Sequence, residues 1–265
     1  MDKSKQLALE ASEQIKQLSG VSSIDIGLTL GSGWAKAAEL AGEELASIDA
    51  SEVAGFHKPS VSGHTGKLKV IALTSGKTAL VVGARTHFYE GHGVDAVSHG
   101  VRVCAALGAQ VMVLTNGAGG IKESWKPGQP VIISDHINLT ASSPLSGANF
   151  IDLTDLYSSR IREIALGADP TLDQGVYVQF PGPHYETPAE VQMAKAIGGD
   201  IVGMSTALEA IAAREAGMEV FGMSLITNLA AGIQKTPLSH TEVLEAGQQA
   251  EPVIAKLLAE IINRL

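Results

Sequence analysis

The chain of 265 residues holds a single cysteine, and that scarcity removes several classes of protein at once. Cys104 has no partner within the sequence, so no internal disulfide, redox Cys-x-x-Cys pair or thiolate zinc cage can form. A reducing, cytoplasmic setting is the expectation. Long apolar runs are missing as well. No stretch approaches the roughly 18 residues of a membrane span. The N-terminal segment shows a helical period (Leu7, Leu9, Ala11, Ile15, Leu18) where a secretion signal would carry an apolar core. No membrane partner is expected. Positive charge is scarce, with 19 Lys+Arg against 28 Asp+Glu and a formal net charge of −9, which argues against a general nucleic-acid binder. An anionic small molecule would therefore need a local positive pocket. Low-complexity tracts, internal repeats and linker-like stretches are lacking too, so residues 1–265 are expected to form one domain. With 45% apolar residues, a chain of this length buries a sizeable core.

What the sequence does have in quantity is glycine, 29 residues beside 10 prolines, which points to tight turns and close backbone approaches. Apolar, β-branched runs at 24–30, 68–73, 78–82, 111–115, 130–134, 176–180 and 219–226 read as strands, several of them apolar on both faces. Helical patterns lie between them. Residues 94–107 carry apolar side chains at helical spacing and stop at Gly108. Thr187-Pro188-Ala189-Glu190 combines an N-cap, a first-turn proline and a capping-box acid, and Thr206 with Glu209 and Ser239 with Glu242 repeat the box. The alternation predicts an α/β fold, a central mixed, mostly parallel β-sheet flanked by helices on both sides. Within it, 68–73 and 78–82 read as a hairpin, and the Thr, Ala, Ser, Pro, Gly and Asn of 139–149 read as a mobile loop.

Gly31-Ser32-Gly33 follows a buried strand and opens like a dinucleotide fingerprint, but the third glycine position is Lys36. Gly76-Lys77-Thr78 lacks the earlier phosphate-loop glycine, that place being Ile71. What remains is a turn whose backbone N–H groups and one hydroxyl suit a small oxyanion. Asn116-Gly117-Ala118-Gly119-Gly120 reads as a second such loop. Just past a strand, residues 84–92 gather Arg85, His87, Tyr89, Glu90 and His92, and Arg85 is suited to grip an oxyanion bidentately. In Gly182-Pro183-His184-Tyr185-Glu186-Thr187, Tyr185 can cover a planar ring while Glu186 accepts from ring N–H groups. Gly203-Met204-Ser205-Thr206-Ala207 approximates the nucleophile elbow of α/β hydrolases. His240 follows Ser205, yet no aspartate follows Asp200, and Glu209, Glu215 and Glu219 read as a cap, a helix-surface acid and a strand edge. Thr227-Asn228 reads as the end of a strand, with Asn228 offering a donor and an acceptor to a heterocycle. Histidine spacings do not build a metal site.

Together these segments resemble the trimeric, low-molecular-mass purine nucleoside phosphorylases. The matching motifs are Gly31-Ser32-Gly33, Gly63-His64-Thr65-Gly66, 85–91, 115–120, Ser134-Asp135-His136-Ile137-Asn138, 182–187, Gly203-Met204-Ser205-Thr206 and 224–228, in the family's order. The resemblance implies that Ser32, His64, Arg85, His87 and Ser205 hold phosphate. It implies that Tyr89, Met204 and His240 line the ribose, and that Tyr185, Glu186 and Asn228 hold the purine above Asn116 and Gly117. Phe150 resembles the aromatic that crosses from a neighbouring subunit to cover the sugar. Asn228, Glu186 and His87 would form the catalytic set, with phosphate as co-substrate and no cofactor or metal. The implied activity is phosphorolysis of 6-oxopurine nucleosides by a cytoplasmic homotrimer. Methylthioadenosine or xanthosine phosphorolysis on the same fold, a serine hydrolase, and a nucleoside-binding protein without turnover are the alternatives.

Overall fold

The computed structural model describes residues 2–31, 33–57 and 65–265. Helix α1 (Lys3–Ser19) leads into β1 (Ile26–Thr29), α2 (Lys36–Ala41) and β2 (Gly42–Asp49). The expected hairpin of β3 (Lys67–Leu73) and β4 (Thr78–Val82) follows, then α3 (Val94–Ala106), β5 (Val111–Gly120), β6 (Pro130–Asn138), α4 (Ser159–Ala168) and β7 (Asp173–Gln179). Helix α5 (Pro188–Ala196), β8 (Ile201–Gly203), α6 (Ala207–Glu215), β9 (Glu219–Leu229) and α7 (His240–Arg264) complete the order. The caps act as their residue types require. Asp2 accepts from Ser4 N to open α1, and Gly20 at φ 74° closes it in the left-handed conformation. At α5, Thr187 Oγ1 accepts from Glu190 N at 3.2 Å while Glu190 Oε2 accepts from Thr187 N at 2.7 Å.

The strands form one mixed sheet in the order β2-β3-β4-β1-β5-β8-β7-β6-β9, and β9 also pairs with β5. That last pairing closes β5, β8, β7, β6 and β9 into a ring, from which β1, β4, β3 and β2 extend as a wing. The pairs β1–β4, β1–β5, β5–β9, β6–β7 and β7–β8 are parallel; β2–β3, β3–β4, β5–β8 and β6–β9 are antiparallel. Helices cover both faces. Buried residues of α1, α3 and α6 meet one side of the strands in a core that includes Ile15, Val101, Cys104 and Ala210. Those of α2, α4 and α7 meet the other, around Trp34, Ile161, Phe221 and Ile254. A smaller core of Val178, Phe180, Val191 and Val202 seats α5.

One expected loop is strand, and the expected strand end at Thr227-Asn228 is found where β9 closes at Leu229. Residues 116–120 form the second half of β5, and Thr227 and Asn228 lie inside β9, because the parallel β5–β9 register runs from Val111↔Glu219 to Gly120↔Leu229. Cross-strand hydrogen bonds thus satisfy a backbone whose glycines, judged locally, suggest a loop. The register slips between Ala118 and Gly119, so that Ala118 faces Ile226 but Gly119 faces Asn228. This irregularity re-aims the neighbouring side chains, as a bulge does. Segment 139–149 has neither helix nor strand and is tied down: Arg102 Nη2 donates to Pro144 O at 2.7 Å, and Asn138 Nδ2 to Ser142 O at 2.9 Å.

Candidate active site

A cavity of about 150 Å³ opens where the segments following β4 and β8 meet the C-terminal halves of β5 and β9. Arg85, His87, Tyr89, Asn116, Gly117, Tyr185, Glu186, Met204, Ser205, Asn228 and His240 all line it, although they come from six separated stretches of sequence. Ser32 and His64 lie outside the described residues. Phe150 does not join this cavity. It is 93% exposed, on a segment fixed by Asn149 Nδ2 donating to Glu215 Oε1 at 2.9 Å and Arg214 Nε to Asp152 O at 3.2 Å. Glu215, read as a helix-surface acid, is therefore a clamp: its side chain is only 6% exposed and also pairs with Lys5 at 2.6 Å. Val202 and Val243 line the cavity too and carry no sequence signal of their own. Val243 was accessible to helical reasoning, one turn beyond His240 on the same face of α7. The register slip in β9 brings both Thr227 and Asn228 to the cavity, where adjacent residues of a regular strand face opposite sides.

One end is built for an anion. Arg85 is buried, and its Nε donates to Glu209 Oε1 at 3.1 Å while Nη1 donates to Thr115 O at 2.7 Å. Nη2 lies 3.1 Å from Glu209 Oε2, close enough for an ion pair but without hydrogen-bond alignment. Glu209, read as a helix cap alone, is thus both cap and counter-ion. His87 stacks on Tyr89, with ring centroids 4.8 Å apart and planes within 12°, and its Nδ1 lies 3.2 Å from Glu90 Oε1. Burial first, and then the Arg85 charge, hold the His87 imidazole below its ordinary pKa, which favours the neutral ring at neutral pH. Ser205 N donates to Tyr177 OH at 3.2 Å, and Gly203 is required there because a Cβ would sit 2.3 Å from that hydroxyl.

Ser205 leads into an unusual turn. Thr206 has φ 82° and ψ −51°, and Ala207 N donates to Ser205 O at 3.0 Å across it, which defines a strained γ-turn around a β-branched residue. The surroundings hold it in place. Thr206 N donates to Glu209 Oε2 at 3.0 Å, and Asn116 Nδ2 donates to Thr206 Oγ1 at 2.9 Å. Ser205 Oγ shares a hydrogen bond with Thr206 Oγ1 at 3.1 Å, not with an imidazole, so the Ser–His geometry of a hydrolase is not formed.

The other end suits a planar heterocycle. Glu186 is buried and its Oε1 has no partner; burial holds its carboxyl above the usual range. Asn228 accepts at Oδ1 from Thr227 Oγ1 at 2.9 Å and donates from Nδ2 to Leu229 O at 3.0 Å, which fixes the amide plane and leaves one N–H uncommitted. Tyr185 remains partly exposed at the rim, and burial raises the Tyr89 phenol to about 12. Among the described residues, no group of three or more His, Cys, Asp and Glu is placed to hold a metal ion, and no helix is long and apolar enough to cross a membrane.

Sheet, cavity and polar lining together define an α/β protein with one concave site at the C-terminal ends of β5 and β9, an arginine at one end and a buried carboxyl and amide at the other. The family description "Phosphorylase superfamily" matches residues 25–263. The chain is 58% identical over 262 residues to the purine nucleoside phosphorylase of Cellulomonas sp., covering 97% of this chain and 93% of that one. It is 50% identical to that of Mycobacterium tuberculosis, covering 98% and 96%. A solved structure of the Schistosoma mansoni purine nucleoside phosphorylase in complex with inosine superposes with a TM-score of 0.87 at 31% identity, covering 98% and 96%. The chain belongs to the purine nucleoside phosphorylase family.

Proposed function

We propose that the chain catalyses reversible phosphorolysis of purine ribonucleosides and 2′-deoxyribonucleosides, preferring 6-oxopurines such as inosine and guanosine. The products are the free base and (deoxy)ribose 1-phosphate. One observation carries this reading. Within one cavity, three buried polar atoms lack a hydrogen-bond partner: Arg85 Nη2 at the anion end, Glu186 Oε1 at the heterocycle end, and Asn116 Oδ1 on the floor between them. Buried polar atoms without partners are rare in folded proteins, and a bound phosphate and purine nucleoside would supply the missing donors and acceptors. Arg85, His87 and Ser205, with Ser32 and His64, would hold phosphate. Tyr89, Met204 and His240 would line the ribose, and Tyr185, Glu186 and Asn228 would hold the base over Asn116 and Gly117.

In the reaction a phosphate oxygen bonds to C1′ as the C1′–N9 bond breaks, and the bonding pair leaves with the purine. Phosphate is both nucleophile and counter-charge for the oxocarbenium-like ribosyl group, so neither an enzyme carboxylate nucleophile nor a cofactor is needed. Glu186 accepts from the N1 side, while the free N–H of Asn228 faces the N7 edge, where negative charge accumulates. Such preorganised groups contribute about 3 to 4 kcal/mol each. Hypoxanthine release from inosine, followed with and without phosphate, tests the proposal: strict phosphate dependence supports it, whereas equal release without phosphate makes the protein a hydrolase.

Base selectivity should reside in Asn228. Replacing it with aspartate removes the donor and adds an acceptor facing the 6-position, which suits the amino group of adenosine. The ratio of kcat/KM for inosine to that for adenosine is expected to fall by about a hundredfold. Unchanged selectivity removes Asn228 from base reading.

The proposal extends to a cytoplasmic homotrimer, each subunit a single domain over residues 1–265, with no nucleic-acid or membrane partner. A large aromatic at 93% exposure on a clamped segment supports an intersubunit role for Phe150. Phe150→Ala is expected to raise the nucleoside KM about tenfold while leaving the phosphate KM unchanged, and native mass measurement should show a trimer. A fully active monomer contradicts this part.

A further inference from the structure

We infer that Glu209 is a positioning residue for the anion end, setting both the Arg85 guanidinium and the Ser205-Thr206 turn through one carboxylate. The inference rests on the proposal that phosphate binds there. Glu209 lies in the first turn of α6 with a side chain only 3% exposed. Oε1 takes Arg85 Nε at 3.1 Å; Oε2 takes Thr206 N at 3.0 Å and lies 3.1 Å from Arg85 Nη2. One carboxylate thus joins the segment after β4 to the start of α6.

The chemistry of the guanidinium explains what this does. Glu209 takes Nε by a hydrogen bond and holds Nη2 at ion-pair distance, and Thr115 O takes one N–H of Nη1, so Nη2 and the second N–H of Nη1 keep no hydrogen-bond partner. Those unpartnered N–H groups are what the guanidinium can offer to an oxyanion. On its other side the same carboxylate holds the N–H of Thr206, whose φ of 82° needs outside support. Thr206 Oγ1 in turn carries Asn116 Nδ2 and Ser205 Oγ, so relaxation of the turn would displace the hydroxyl expected to meet phosphate. Glu209 itself, aligned along the guanidinium and the turn, has no need to touch the anion.

Glu209→Gln keeps the shape and removes the charge, and Glu209→Asp keeps the charge but shortens the reach. Both are expected to raise the phosphate KM about 10- to 100-fold, the range found for groups that orient a primary ligand, while the inosine KM changes less than about threefold. Titration calorimetry with inorganic phosphate should show the same loss of affinity without turnover. An unchanged phosphate KM in either folded variant overturns the inference. So does an equal rise in both KM values accompanied by a drop in Tm, the mark of a purely structural ion pair. Wild-type turnover that ignores phosphate refutes the phosphorylase reading instead, so the two failures are distinguishable.

Discussion

Arg85→Met is expected to lower kcat/KM for phosphorolysis by about a hundred- to a thousandfold, the effect of removing one preorganised donor from developing charge. The loss should fall on the phosphate KM and on kcat, with the nucleoside KM little changed. Stability should fall as well. Glu209 would be left charged beside Thr206 at 3% side-chain exposure, and an unpaired buried carboxylate destabilises by about 3 to 5 kcal/mol. Combining Arg85→Met with Glu209→Gln removes that unpaired charge, so the double variant should recover much of the lost Tm and none of the activity. Thermal unfolding and phosphate-dependent kinetics on the two variants separate these contributions. A double variant that regains turnover would show that Arg85 serves the fold and not the anion.

Glu186→Gln is expected to move activity and stability in opposite directions. Burial raises the Glu186 carboxyl above its ordinary pKa, so its folded value exceeds its unfolded one. The sign follows from proton counting: between those values the folded state holds the extra proton, and stability falls as pH rises through the folded pKa. Above its folded pKa the ligand-free protein carries a charged, partnerless Oε1 at a stability cost, which Gln removes. Tm should rise by a few degrees on the alkaline side of the Glu186 pKa, with a smaller difference in acid. Catalysis runs the other way. In the proposed role the ionised carboxylate would accept from the purine N1–H, so wild-type kcat/KM should fall as pH drops through the Glu186 pKa. The Gln variant should lack this acid limb and run about a hundredfold lower at neutral pH. A flat wild-type acid profile, or full activity in the variant, would take Glu186 out of base recognition.

The parts of this molecule that were legible in the sequence are those whose causes are local. Thr187, Pro188 and Glu190 specify the start of α5 within four residues, and the structure shows both reciprocal hydrogen bonds. The cluster at 84–92 was visible as chemistry, and Arg85, His87 and Tyr89 all reach the cavity. What escaped depends on distant partners. Glycines at 117, 119 and 120 suggest a loop, and only pairing with β9, about a hundred residues later, makes them strand. The Glu209 cap was correct as a local statement, but its second role needs Arg85, 124 positions away. β2 was missed because Glu43, Glu44, Leu45 and Ala46 are helix formers on a half-exposed edge, where pairing with β3 overrides propensity. The strained turn at Thr206 leaves no composition signal, since its φ is imposed by Glu209 and Asn116 and not by the threonine itself.

In the proposed reaction the Arg85 end of the cavity delivers phosphate to the anomeric carbon of a nucleoside held by Glu186 and Asn228. Phosphorus-31 NMR of the protein incubated with inosine and inorganic phosphate tests this most directly. The expected result is a sugar 1-phosphate resonance growing in step with hypoxanthine as the inorganic phosphate signal declines. Hypoxanthine accumulating with free ribose while the phosphate signal stays constant would contradict the account.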